Sequence, residues 1–295
     1  MTPLLRRLFR ETLWTVGLAE VGEEQLEAIL LGRRDLSDVP FRWLSRRGHS
    51  FVADPFVFSD GERLLLAFED FRARTGRGVV SVREVGADLS PGARVVHEIA
   101  EPHHLAFPSP VVLDGRVHLV PDAATKTLLA YPLAGGPPVR LDGPERLPCT
   151  DPCVVTVGEQ QVVLASDPDG QLWAYELVAS AGGGHEIGAR TRVPGAGRLA
   201  GGVVAVRGRY FRLQQNSSDG YGSATDVFEI DPAAGDFAGV HRTTVTAPTG
   251  RGRERWDGTH HLSHAGGVLA VDVRRRRFSV VATPLKVWYR LRSGG

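Results

Sequence analysis

The stretch Asp54-Pro55-Phe56-Val57-Phe58-Ser59-Asp60-Gly61 leads into an apolar run, and the chain repeats this course. Ser109-Pro110-Val111-Val112-Leu113-Asp114-Gly115, Asp151-Pro152-Cys153-Val154-Val155 through Gly158, and Gly201-Gly202-Val203-Val204 through Gly208 follow it, with a fainter copy from His260-His261-Leu262 to Gly266-Gly267. Each copy reads as a strand, a Gly-containing turn and a second strand. Successive copies lie roughly 43 to 58 residues apart, the length of a four-stranded propeller blade rather than of a helical repeat. The expectation is an all-β chain, a five-bladed β-propeller with a short N-terminal helix. In such a ring the innermost strands start around a central channel. The openers Asp54, Ser109, Asp151, Gly201 and His260 are therefore expected to converge on one site.

Composition agrees with many short strands: 35 Gly and 19 Pro residues suit tight turns. Repetition from about residue 50 to 283 favours a single domain over 1–295 rather than two. The exception to the strand pattern is 21–31, where Glu23-Glu24 precede Leu26, Ile29, Leu30 and Leu31, and a helix is expected. Residues 13–18, Leu13-Trp14-Thr15-Val16-Gly17-Leu18, alternate like a strand that could close the last blade and remove an open edge.

Charge names no partner. With 35 basic and 34 acidic residues the net charge is +1, which argues against nucleic-acid binding. The run Arg274-Arg275-Arg276-Arg277 reads as a solvated hairpin. Lysine occurs only at Lys126 and Lys286, a compositional bias without chemical meaning. No apolar segment reaches a membrane span and no signal-peptide pattern follows Met1 to Arg10, so a cytoplasmic location is expected. Cys149 and Cys153 fit neither a redox pair nor a zinc site, and read as packing residues. Neither a metal nor a cofactor is expected.

The sharpest chemical candidate is Asp54. Proline after it restricts its backbone to extended conformations and interrupts sheet pairing, so the carboxylate can project into the channel. Asp151-Pro152 repeats the dipeptide in another blade. Two carboxylates facing one channel can divide acid and base roles, and glycosyl chemistry needs such a pair at ~5 Å or ~6.5–9.5 Å. Glu69, Asp70 and Asp122 are the further acids that follow apolar runs.

Trp14-Thr15-Val16-Gly17, Phe51-Val52-Ala53-Asp54-Pro55-Phe56, Phe68-Glu69-Asp70, Gly76-Arg77-Gly78-Val79, Pro121-Asp122, Asp151-Pro152, Arg198-Leu199-Ala200-Gly201-Gly202, Arg212 with Gln214-Gln215, Tyr221-Gly222 and Gly258-Thr259-His260-His261 occur in this order. In that order and spacing, over about residues 13 to 272, the chain resembles the N-terminal domain of the glucosamine inositolphosphorylceramide transferase family. The resemblance implies a five-bladed, glycosidase-like propeller in which an Asp-Pro aspartate such as Asp54 acts as base or nucleophile. It also implies a sugar-containing small molecule as substrate, and a partner enzyme, since family members place the propeller beside other catalytic domains. The family pattern His-Leu-Ser-Tyr-Pro followed by Pro-Glu is here His104-Leu105-Ala106-Phe107-Pro108 and Pro121-Asp122. This loses two hydroxyls and shortens one acid.

Histidines form a second constellation. His260 and His264 on one strand would lie ~13 Å apart, too far for shared metal ligation, so His260 and His261 are expected in acid–base or hydrogen-bonding roles. Arg198 and Arg212 are candidates for holding an anionic group, with Gln214, Tyr221, His104 and Phe107 as further substrate-binding candidates. Three functions stay open: a carbohydrate-active hydrolase or transferase; a small-molecule isomerase, cyclase or lyase with an apolar pocket lined by Phe56, Leu105 and Phe107; and a noncatalytic binding or scaffold module.

Overall fold

Antiparallel four-strand meanders dominate the computed structural model, which describes residues 10–44, 48–123, 127–142, 150–179, 184–249 and 256–280. Among the described residues the chain is all-β apart from one short helix and two 3-10 turns. After β1 (Arg10–Glu20), α1 (Glu23–Leu30) and β2 (Arg42–Leu44), the first complete meander is β3 (Phe51–Ser59), β4 (Leu64–Arg72), β5 (Arg77–Val85) and β6 (Pro91–Ile99). The next is β7 (Ala106–Leu113), β8 (Arg116–Asp122), β9 (Leu128–Pro132) and β10 (Val139–Asp142). It joins β11 (Thr150–Val157), β12 (Gln160–Ser166), β13 (Leu172–Ala179) and β14 (His185–Arg192) through a parallel contact of β10 with β14, so the two form one eight-stranded sheet. β15 (Val204–Val206), β16 (Arg209–Asn216), β17 (Ala224–Asp231) and β18 (Asp236–Thr246) follow. The last sheet has the order β19 (Leu262–Ala265), β20 (Val268–Phe278), β1, β2.

The last sheet is thus built from both ends of the chain. β1 runs antiparallel to β20 along its whole length, from Arg10 opposite Phe278 to Glu20 opposite Val268. The arginine run belongs to this strand and not to a hairpin. Arg274 sits opposite Trp14, is 2% exposed, and donates to Asp257 and to the carbonyls of Asp257 and Tyr221. Continuous ladder pairing over β1 overrides what the charge run suggests.

Apolar residues fill the space between neighbouring sheets. β3 and β4 are buried on both faces, which explains their unbroken apolar runs, whereas the outer β14 is mostly exposed. One cluster, around Val16, Leu18, Val52, Leu66, Phe68 and Ala270, packs the last sheet against the first. Another takes in Leu26, Ile29 and Leu30 of α1 with Phe211, Leu213 and Val271. The helix is shorter than the expected 21–31: Val21 donates its N–H to Gly267, and Gly22 is extended.

The repeat openers share an unusual backbone. The register of the first two strands slips between Ala53 and Phe56, between Ala106 and Ser109, and between Thr150 and Cys153. Inside each slip one residue takes a left-handed φ: Asp54 at 51°, Phe107 at 48° and Asp151 at 52°. Each precedes a proline, whose missing N–H suits the interrupted ladder. The second repeat is therefore opened by Phe107-Pro108 and not by Ser109-Pro110. Ser109 is buried and paired with Val120. In the fourth repeat Gly201 fills this place at φ 132°, where a Cβ would stand 2.1 Å from the Leu262 carbonyl oxygen, so only glycine fits.

Candidate active site

Of the expected openers, Asp54 and His260 line a pocket of about 270 Å³ together with Trp14, Phe51, Ala53, Glu69, Phe71, His104, Ala106, Asp122, Arg198 and Tyr221, whereas Ser109, Asp151 and Gly201 lie outside its lining. The lining draws on the first two strands of the first two meanders, on β1, on the β16–β17 turn that carries Tyr221, and on the segments before β7, β15 and β19. Antiparallel pairing explains two of the acids: Glu69 lies opposite Ala53 and Asp122 opposite Ala106, next to the bulged residues.

One corner is built around Asp54 and is closed to solvent. Asp54 Oδ2 accepts the Phe107 N–H at 3.1 Å, and Oδ1 lies 3.5 Å from His260 Nε2 and 3.7 Å from His261 Nδ1. His260 Nδ1 is 2.7 Å from Asp272 Oδ2, an ion-pair contact, and its ring stacks on Trp14 with centroids 3.9 Å apart. Asp272 is fully buried. It accepts the N–H groups of Asp54, His260 and His261. Burial works against charge on Asp272, but His260 and the donated N–H groups outweigh it and hold its pKa below the usual value. Burial likewise opposes the His260 imidazolium, yet Asp272 and Asp54 raise its pKa above the ordinary one. For Asp54 burial prevails: His260 opposes it, Glu69, Asp272 and Asp151 add to it, and its pKa rises from 3.8 to about 8.

The opposite corner is built around Asp151 and Arg198. Arg198 Nε donates to Asp151 Oδ2, and Nη2 donates to Oδ1 at 3.1 Å, a two-pronged pair. Gln215 Nε2 donates to the same carboxylate at 3.1 Å, and the Asp151 N–H donates to Asp122 Oδ2 at 3.3 Å. Burial pushes the Asp151 pKa up while Arg198 opposes it, and Asp151 in turn raises the Arg198 pKa. The Arg198 guanidinium also lies 5.6 Å from the centre of the Tyr221 ring at the pocket mouth, where Tyr221 is half-exposed.

Between the corners stand Glu69 and His104. His104 Nδ1 accepts the Gly78 N–H at 3.0 Å, which assigns the ring proton to Nε2, 3.2 Å from Glu69 Oε1. Gly78 is needed for room, since a Cβ there would come within 2.8 Å of Glu69 Oε1. Phe51 and Phe71 stack at 4.5 Å along the wall.

Several expected site residues lie elsewhere. His261 has no exposure and packs between Phe56 and Phe107, and burial drives its pKa down to about 3, so it is a neutral core residue behind Asp54. Phe107 supplies its N–H to Asp54 while its ring is buried. Phe56 and Leu105 are equally buried, so they form core and not an apolar pocket. Arg212 is held by the carbonyls of Phe237 and Ala238 and by Gln214, over the Phe228 ring. Gln214 also accepts the Gly197 N–H. Arg212 and Gln214 share one face of β16, and Gln215, on the other face, is the residue that reaches the site. His264 contacts the Val21 carbonyl. Cys153 is buried, and Cys149 lies outside the described residues.

Trp14 and Asp272 were not among the sequence candidates. A lone acid inside the apolar run Leu269-Ala270-Val271-Asp272-Val273 was the available signal. Among the described residues, Asp54, His260 and Asp272 bring donor atoms within 4.8 Å of one another. The Asp272 oxygens accept three N–H groups and face the His260 imidazole as an ion pair, while His260 Nδ1 and both His261 ring nitrogens are buried without a hydrogen bond among the described residues. A wider groove of about 940 Å³ runs between β12–β14 and the turn 232–238, away from these residues. Among the described residues, no helix is long and apolar enough to cross a membrane.

No protein-family model matches the chain, and no curated protein matches it. Among solved structures the chain is similar to a GH43_1 enzyme from Xanthomonas citri complexed with xylose, at 12% identity and a TM-score of 0.47, over 85% of this chain and 93% of the other. An alpha-L-arabinofuranosidase from Lactobacillus brevis gives 12% and 0.47 over 72% and 78%. A Trypanosoma rangeli sialidase gives 11% and 0.37 over 86% of this chain and 50% of that one. These likenesses concern chain path only, and no residue role is taken from them.

Proposed function

We propose that the protein is a carbohydrate-active enzyme, a glycoside hydrolase or a transferase, working in the central pocket of a five-bladed propeller. The blades are the four complete meanders and the shared sheet β19-β20-β1-β2, each packed on the next. The ordered motifs shared with the glucosamine inositolphosphorylceramide transferase N-terminal domain support a sugar-directed site, but the resemblance implies a base or nucleophile at Asp54, and it is the burial of Asp54 that favours the acid role taken here. The observation that carries it is the convergence of Asp54, Glu69 and Asp122 on one pocket walled by aromatic rings. At about 270 Å³ the pocket is near the ~300 Å³ low end of ligand sites and suits one sugar-sized ring.

In this mechanism Asp54, protonated up to about pH 8, is the general acid. It gives its proton to the glycosidic oxygen as the bond to the anomeric carbon breaks. Glu69 is the second carboxylate and takes the proton of the incoming water or acceptor hydroxyl as the new bond forms. His260, fixed by Asp272 and Trp14, sets how readily Asp54 releases its proton. Turnover of a panel of aryl glycosides by wild type and Asp54→Asn, with product analysis, tests the reading. Loss of turnover in the variant supports it, and an inert wild type counts against it.

A second reading has one observation in its favour: the buried His260 lies between two carboxylates. Such a group can shuttle protons in an isomerisation, cyclisation or elimination of a non-sugar substrate. Solvent deuterium appearing in a non-sugar product, with no glycoside turned over, favours that reading.

A further inference from the structure

The pocket carries an electrostatic restriction on what it can hold. Among its described lining residues Arg198 is the sole guanidinium or ammonium group. Its fork is occupied by Asp151, with Nε on Oδ2 and Nη2 on Oδ1, and the buried carboxylate cancels its charge. Tyr221 covers one face of the guanidinium. His260 is likewise matched by the buried Asp272, and His104 Nε2 lies 3.2 Å from Glu69 Oε1. Among the described lining residues the cationic groups thus already face carboxylates of the protein, and Glu69 and Asp122 stand in the same wall. A phosphate or carboxylate entering here meets like charge at close range in a partly desolvated site, an arrangement that disfavours its binding.

We propose that the site accepts uncharged or cationic polyhydroxylated ligands and excludes those bearing a phosphate or carboxylate, with Asp151 acting as the internal anion that keeps Arg198 from recruiting one. The inference rests on the carbohydrate reading and narrows it. Substrates are neutral or amine-bearing glycosides, and nucleotide-sugar donors, sugar phosphates and uronic or sialic acids are rejected. It also assigns Asp151 a specificity role distinct from the acid–base role of Asp54.

The test compares matched probes, methyl glycosides against the corresponding sugar 1-phosphates, with inorganic phosphate as the bare anion. Binding to wild type and to Asp151→Asn is followed by calorimetry at constant ionic strength. Asparagine tolerates the left-handed φ of residue 151 and keeps the side-chain shape while releasing the guanidinium. Wild type is expected to show no binding of phosphate or sugar phosphates, and Asp151→Asn to gain phosphate affinity about tenfold or more, which is about 1.4 kcal/mol. Adding Arg198→Gln to Asp151→Asn is expected to abolish the gain. Binding of phosphate or sugar phosphates to wild type, at a site removed by Arg198→Gln, overturns the proposal. So does a folded Asp151→Asn without the gain. The wild-type half needs no variant and decides the exclusion even where the variant is unstable. If methyl glycosides also fail to bind while the phosphate pattern holds, the carbohydrate reading fails and the charge restriction stands.

Discussion

Asp54 and Asp151 open equivalent strands with the same dipeptide, the same one-residue slip and nearly the same φ, 51° and 52°. Their surroundings differ. Asp54 meets a backbone N–H and a histidine whose charge is already committed to Asp272, so burial prevails and its pKa climbs to about 8. Asp151 meets an arginine that closes on it with two bonds. One backbone device thus sets one carboxylate in the pocket wall and another behind Arg198 at its edge, and the partner across the gap decides whether each carries a proton or a salt bridge. Phe107 sits in the same device between them, and there the backbone N–H, not the side chain, is what the site uses.

The comparison breaks most visibly at Asp54. Asp54→Asn removes the transferable proton and is expected to lower kcat on a responsive glycoside by about 10²–10⁴-fold. The same variant is expected to be more stable at alkaline pH. Folded Asp54 keeps its proton to about pH 8 from an ordinary value of 3.8, so between these limits the folded chain binds the extra proton. Its contribution is fully present below about pH 4 and is lost as pH rises towards 8, with a slope approaching ~1.4 kcal/mol per pH unit. Asparagine has no such loss. Chemical denaturation of both proteins at pH 5 and pH 8 should show the stability difference shifting towards the variant.

Asp272→Ala strips the His260 imidazolium and three N–H groups of their acceptor, and is expected to cost about 3–5 kcal/mol. A melting temperature close to wild type would contradict the part given to this buried carboxylate in joining the last sheet to the first. Arg198→Gln leaves Asp151 buried without its partner. Because Arg198 is 38% exposed, the cost is set lower, at about 2 kcal/mol. At the weak end, Tyr221→Phe removes a hydroxyl from a half-exposed ring and is expected to change stability by less than ~0.5 kcal/mol, with any effect on catalysis confined to KM.

The features legible in the sequence were those carried by local chemistry. Asp-Pro marked the openers at 54 and 151 through the missing proline N–H, but the extended backbone expected before the proline is instead a left-handed residue, at φ 51° and 52°. Glu69 and Asp122 were visible as acids ending apolar runs, and antiparallel pairing then placed them beside the openers. Two nearby prolines defeated the same logic in the second repeat, where Pro108 and not Pro110 follows the left-handed residue. A one-residue error in face separated Gln214 from Gln215, since successive strand residues point to opposite sides. The alternation over 13–18 announced the closing strand that pairs with β20, but which of its residues, and which acid of the partner strand, reach the site depends on the register between the two ends of the chain. Arg274 was misleading because a run of charge reads as solvent-facing until a ladder and a partner, Asp257, bury its first member.

The most direct test of the central claim is the pH dependence of glycoside turnover in wild type beside Asp54→Asn. The account predicts wild-type activity on an uncharged glycoside that declines as pH passes about 8, and an Asp54→Asn rate reduced at least ~100-fold across the range. Turnover by Asp54→Asn at the wild-type rate, or an alkaline limb unchanged in it, would contradict the assignment of Asp54 as the proton donor.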